Sequence, residues 1–125
     1  WVMVEDTSFC IDREGGFPGP FVKYYLQCQS AINIANRNWA SKAQSIVSLG
    51  ISRVRKNTNT FAPYVFEGIT HGLIVSPKGE NGFGFDVIFR PLESDKTSAE
   101  MTMDEKAEFN PRIKGFQDII KFLLH

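Results

Sequence analysis

Val47-Ser48-Leu49-Gly50-Ile51-Ser52 alternates apolar residues with small or polar ones. Successive strand side chains point to opposite faces, so this stretch predicts a strand with Val47, Leu49 and Ile51 on one buried face. Two more strand-like runs follow, Tyr64-Val65-Phe66-Glu67 and Gly72-Leu73-Ile74-Val75-Ser76, after a polar turn at Lys56-Asn57-Thr58-Asn59-Thr60. The connections are too short for crossover helices, so the three runs predict an antiparallel meander. Asp86-Val87-Ile88-Phe89 predicts a fourth strand, and Trp1-Val2-Met3-Val4 a buried strand at the start.

Helices fill the intervals. Asp12 to Gly16 is a polar, Gly-ending turn, and Phe17-Pro18-Gly19-Pro20 a rigid bend. Pro20 suits a first helical position, leading a helix through Phe21 to about Gln29. Ser30 caps a second helix to about Trp39, with Ile32, Ala35 and Trp39 on one face. Thr102 and Glu105 have the spacing of a capping box, predicting a helix from Met103 to about Phe109. Asn110-Pro111 then caps and starts a last helix, with Ile113, Phe116, Ile120 and Leu123 facing the sheet.

The 125 residues suit one domain, with 42% hydrophobic and 22% charged residues. Basic and acidic residues balance at 14 each, which excludes nucleic-acid or membrane binding driven by overall charge. No run of 18 apolar residues and no signal-peptide pattern is present. Cys10 and Cys28 form no metal pattern with His71 and His125, and are simplest as reduced thiols. The chain opens at Trp1 directly into a strand-like run. That start reads as a fragment, a processed product or an engineered boundary.

Chemistry concentrates at three places. Asn81-Gly82-Phe83-Gly84-Phe85-Asp86 joins glycines, two rings and a carboxylate. Such a loop is either a hairpin with two core phenylalanines or a grip for a flat polar ring such as a nucleobase. Glu5-Asp6-Thr7 ends the first strand, a common location for active-site carboxylates and equally for a solvated terminus. Lys23 lies in the first turn of the first helix, where a positive charge adds to the attraction of a helix N-terminus for anions.

Four stretches then align in order: Val4-Glu5-Asp6-Thr7, Gly16-Phe17-Pro18-Gly19-Pro20-Phe21-Val22-Lys23, Gly82 to Phe89, and Lys96-Thr97-Ser98-Ala99-Glu100-Met101 with Glu105-Lys106 behind. Together they resemble the inosine triphosphate pyrophosphatase family, whose members hydrolyse deaminated purine nucleoside triphosphates to monophosphate and pyrophosphate. The resemblance runs from residue 2 to about residue 123. It implies an α/β fold with a long mixed, largely antiparallel sheet, flanking helices and a cleft between two lobes. It also implies a magnesium-dependent cytoplasmic homodimer with no stable nucleic-acid partner.

By the same resemblance, Asp6 holds magnesium and activates water, with Glu5 beside it as a second catalytic carboxylate. Thr7, Lys23 and Lys106 contact the nucleotide. Phe83, Gly84, Phe85 and Asp86 stack on and read the base. Arg112 stands for the arginine of the family's Ser-His-Arg base-recognition motif. The residue types suit these roles: magnesium prefers carboxylate and phosphate oxygens, and aromatic stacking is worth about 1–3 kcal/mol per base. Discrimination among bases must come from hydrogen bonds to the base edge.

Three departures stand out. The family's Gly-Asn-x-x-Lys phosphate-gripping segment and a further metal-binding glutamate have no counterpart after Trp1. Asn110-Pro111-Arg112 replaces Ser-His-Arg, keeping a helix start but removing an imidazole. Val87 stands where the family usually has proline. Two functions therefore compete: a pyrophosphatase of altered base preference, and a non-catalytic nucleotide-binding or scaffold relative.

Overall fold

The computed structural model describes residues 1–53, 63–82 and 84–125. The expected turn at 56–60 lies outside the described residues. Five strands form one sheet in the order β2-β1-β3-β4-β5, and every pairing among the described residues is antiparallel. They are β1 (Val2–Ile11), β2 (Pro18–Gly19), β3 (Lys42–Ser52), β4 (Tyr64–Ile74) and β5 (Phe89–Pro91). The helices are α1 (Val22–Cys28), α2 (Ala31–Arg37), α3 (Met103–Phe109) and α4 (Pro111–Leu124). The α/β class and the dominance of antiparallel pairing are as expected.

Register explains how one sheet supports two cores. Thr7 opposes Val47, which opposes Gly68; Phe9 opposes Ser45, which opposes Thr70. These residues, and those two positions away along each strand, share one face. At one end of that face, Phe9, Ile11 and Ala43 pack with Val22, Ile34, Ala35, Ile74, Ile88 and Phe89. At the other end, Val47, Leu49 and Ile51 pack with Ile119 of α4, joined by Phe66, Phe116 and Phe122. Each fully buried aliphatic or aromatic side chain contributes about 1.5–3 kcal/mol. The band between the clusters carries Thr7, Ser45 and Thr70, which cannot extend an apolar core.

Two glycines set the height of α4 above the sheet. A Cβ on Gly68 would overlap the Pro111 carbonyl oxygen and stand 2.7 Å from its carbon and 3.1 Å from Gly115 N. A Cβ on Gly115 would meet Leu49 Cδ1 at 2.7 Å. Backbone thus lies directly on backbone where α4 begins.

Several expectations are corrected. Trp1 to Val4 belongs to β1 from Val2 onward, but is exposed, because α4 covers β3 and β4 instead. Helix α1 begins at Val22, two residues later than Pro20 suggests, because Pro18-Gly19 first pairs with β1 at Phe9 and Cys10. In α2 the inward residues are Ile34 and Ala35, with Ile32 and Trp39 exposed. The two expected strands at 64–67 and 72–76 are one continuous strand, β4. Residues 84–88 form a 3-10 turn, so only Phe89–Pro91 pairs as β5. In α4 the face turned inward centres on Gly115 and Ile119, leaving Ile120 and Leu123 half exposed. The capping box of Thr102 and Glu105 and the Asn110-Pro111 start of α4 are as predicted.

Candidate functional site

Between the two cores opens a cleft of about 410 Å³. Its floor is the polar band of the sheet: Thr7 from β1, and Ser45 and Val47 from β3. One wall comes from Phe85, Asp86 and Phe89, with Ser98 and Met101 behind them. The other comes from Met103, Lys106 and Phe109 of α3 and from Asn110, Pro111 and Arg112 at the start of α4. The lining is mostly apolar with a few polar groups, the composition of a small-molecule site.

The wall carrying Phe85 is built rigidly. Thr97 Oγ1 donates to Lys78 O at 2.6 Å, and Asn81 N donates to Ala99 O at 2.8 Å. Thr97 and Glu100 form a capping box that the sequence reading did not identify. Gly79, at φ +99°, lies where any Cβ would strike the Ala99 backbone. The segment before Phe85 is therefore pinned to residues 97–100. Phe85 itself is half-buried, stacked on Phe9 with centroids 4.1 Å apart and planes at 16°. It is not a free platform: one ring face belongs to the core, while its exposed part lines the cleft. Phe83 lies outside the described residues. Gly84 opens the 3-10 turn at φ +57° and does not line the cleft.

Two cation–carboxylate pairs stand at the rim. Lys106 Nζ donates to Asp86 Oδ2 at 3.3 Å, linking α3 to the Phe85 turn, with both side chains about four-fifths buried. Arg112 grips Glu5 with two bonds, Nε to Oε2 at 2.8 Å and Nη2 to Oε1 at 2.5 Å. Asn110 Oδ1 accepts from Arg112 N at 2.9 Å, so cap and first turn fix the arginine backbone. A further pair, Lys96 Nζ to Glu105 Oε2 at 2.8 Å, braces the start of α3. That hydrogen bond holds the Glu105 carboxyl below its ordinary range and raises Lys96 above its own. Burial, with Asp12 nearby, pushes the Cys10 thiol up.

Five of the expected site residues thus meet in the cleft: Thr7, Phe85, Asp86, Lys106 and Arg112. Others do not. Glu5 sits behind Arg112 and does not line the cleft. Asp6 alternates to the opposite face of the sheet, in register with Ser48 and Glu67. Lys23 is exposed on α1 and away from the lining. Sequence reasoning missed Ser45, Ser98, Met101 and Phe109 as lining residues. For Ser45 a signal existed: the alternation that turns Val47 and Leu49 inward turns Ser45 inward too, and a polar residue on a core face marks a gap in the core.

Among the described residues, no group of three or more His, Cys, Asp or Glu is arranged to hold a metal ion. Magnesium takes one or two carboxylates and completes its shell with water and phosphate oxygens, so it does not require such a cluster. Among the same residues, no helix is long and apolar enough to cross a membrane.

The chain is 37% identical over 123 residues to an inosine triphosphate pyrophosphatase of Giardia intestinalis, and 35% identical over 125 residues to one of Candida glabrata. It is 32% identical over 128 residues to a dITP/XTP pyrophosphatase of Hyperthermus butylicus. Each alignment covers 98% of this chain and 63% of the relative, so the chain spans less than two thirds of their length. In structure it is similar to the Ham1 protein of Staphylococcus aureus (TM-score 0.75, 23% identity) and to a HAM1 protein from Coxiella burnetii (TM-score 0.78, 21% identity). Both likenesses cover 98% of this chain and 66% of the other, and at that identity they speak for the fold alone. The sequence model of the Ham1 family matches residues 1–122, and the chain belongs to that family.

Proposed function

We propose that this chain acts as a nucleoside triphosphate pyrophosphatase. Its substrates are deaminated purine nucleotides such as ITP, dITP and XTP, cleaved to monophosphate and pyrophosphate. The observation that carries the reading is the gathering of Phe85, Asp86, Lys106 and Arg112 around one cleft above Thr7. A half-buried ring gives a stacking surface, while Asp86, Lys106 and Arg112 supply hydrogen-bonding groups for a base edge. The names of the relatives favour hydrolysis over a purely nucleotide-binding or scaffold role.

In this reading the base lies in the cleft and the triphosphate leaves it past Thr7. β2 pairs only with Phe9 and Cys10, so the rest of that β1 edge carries no strand among the described residues. A polyphosphate crossing this edge reaches Asp6 on the far face. There Asp6 would help to hold magnesium, which when bound would supply charge neutralisation for the phosphates. Asp6 also orients the attacking water as a general base. Gly84 shapes the turn that presents Phe85, and Lys23 adds positive charge toward the phosphates. Cytoplasmic location and a homodimeric assembly belong to the same proposal.

The test is pyrophosphate release from ITP, XTP, GTP and ATP with magnesium. Release from ITP and XTP at least tenfold above ATP supports the reading. Binding of ITP without release points to the scaffold role. No binding of any of the four refutes both. Asp6→Asn should abolish most turnover, and full turnover in that variant would place the metal elsewhere.

A further inference from the structure

Glu5 is the feature that the proposed chemistry leaves unused. Its carboxylate precedes Asp6 on β1 but points to the opposite face, the one α4 covers. Both oxygens are occupied by the same guanidinium, through Nε at 2.8 Å and Nη2 at 2.5 Å. Glu5 does not line the cleft, whereas Arg112 does. A carboxylate with both oxygens engaged and no access to the cleft is badly placed to take a proton from water.

We infer that Glu5 is a positioning residue that acts through Arg112. The inference rests on the reading of the cleft as the base pocket. A side-on carboxylate fixes the plane of a guanidinium, since the two parallel bonds permit one orientation. With Nε and one hydrogen of Nη2 committed to Glu5, the edge carrying Nη1 remains for a ligand. Asn110 fixes the other end of the same residue by accepting from its backbone N–H. Arg112 is thus held at backbone and head group before any ligand arrives, and it presents two parallel donors to a carbonyl on the base edge. This arrangement also fits the Asn110-Pro111 replacement: Pro111 offers no side-chain donor where the family has an imidazole, so more of the recognition falls to Arg112. The specificity it builds is for a purine bearing a ring carbonyl.

The test compares ITP with purine riboside triphosphate, which lacks the ring carbonyl. Glu5→Gln keeps size and one acceptor oxygen but loses the charge-assisted fork. It should raise KM and the dissociation constant for ITP about tenfold, while kcat falls no more than about threefold. For purine riboside triphosphate the loss should stay under about twofold. Arg112→Gln should reproduce this pattern, and the double variant should be no worse than Arg112→Gln alone, because both changes remove one interaction. Glu5→Asp should recover part of the ITP preference. A fall in kcat of a hundredfold or more at unchanged KM would instead put Glu5 in the chemical step. Equal losses for both nucleotides, or an additive double variant, would overturn action through Arg112.

A second readout needs no nucleotide. The Arg112 Nε–H resonance of the free protein should shift and exchange faster with water in Glu5→Gln, and an unchanged resonance overturns the contact. Failure of the wild type to bind either nucleotide would defeat the functional reading and this inference with it. Binding by the wild type with no change in Glu5→Gln defeats the inference alone.

Discussion

Gly68→Ala tests whether the contact between α4 and the sheet is what shapes the cleft. The added Cβ overlaps the Pro111 carbonyl oxygen and lies 2.7 Å from its carbon. Ordinary contact needs about 3.5 Å or more between such atoms. The obstacle is backbone, so no rotamer change relieves it, and α4 must lift by roughly an ångström or tilt about its far end. Overpacking of this kind costs about 1–3 kcal/mol, and a rigid obstacle argues for the upper end. Reduced freedom of the unfolded chain returns about 0.4–1 kcal/mol. The net cost is about 2 kcal/mol, or a drop in Tm of roughly 6–10 °C for a domain of this size. Asn110, Pro111 and Arg112 move with the helix, so ITP binding should weaken as well. The assay is thermal unfolding followed by circular dichroism, with ITP titration on the folded variant. Gly50→Ala is the control: among the described residues its Cβ meets only the Val4 side chain, at 3.1 Å, and that side chain is exposed. It should cost less than about 1 kcal/mol. A Gly68→Ala protein that melts with the wild type and binds ITP normally would refute the close approach of α4 to β4.

Other perturbations report on separate parts of the site. Phe85→Leu keeps most of the packing against Phe9 but loses the stack; it should cost about 1 kcal/mol of stability in urea titration and weaken ITP binding about tenfold. Thr102→Ala removes the cap of α3, where Thr102 Oγ1 accepts from Glu105 N at 3.2 Å; it should destabilise by about 1 kcal/mol and loosen Lys106, seen as faster amide exchange in α3. Glu105 has its carboxyl lowered by Lys96, so its contribution is present above the ordinary glutamate range and is lost as pH falls through the lowered value. Lys96→Met should therefore flatten the acid limb of stability against pH, and an unchanged limb would show that the pair carries no linkage. Mass spectrometry after limited alkylation should find Cys28, which is exposed, modified before Cys10, whose thiol is pushed up by burial.

Local chemistry was legible where one residue dictates one backbone feature. Ser30, Thr102 and Asn110 each accept a backbone N–H at the helix starts the sequence predicts. Such caps act within one turn and need no partner from elsewhere. The alternation of β3 was readable for the same reason, since its period is imposed by the strand itself. Helix faces were not. The inward face of α4 centres on Gly115, and a residue with no side chain leaves no mark in a hydrophobic pattern, although it lies tight against Leu49 and Gly68. Phe85 was readable as important but not as shared, because its partner Phe9 is far away in sequence.

By itself, the sequence determined the α/β class, the antiparallel pairing of β3 with β4, the caps, and the set of residue types suited to a nucleotide. Those follow from local propensity and from order along the chain. Only the tertiary structure decided which of these residues face each other. Strand alternation sends Glu5 and Asp6 to opposite faces, although they are neighbours in sequence. Packing of α4 on Gly68 then carries Arg112 over Glu5 and converts a candidate catalytic carboxylate into the partner of an arginine. The physical reason is that side-chain direction is set by strand register and helix height, and both are fixed by contacts between segments far apart in the chain.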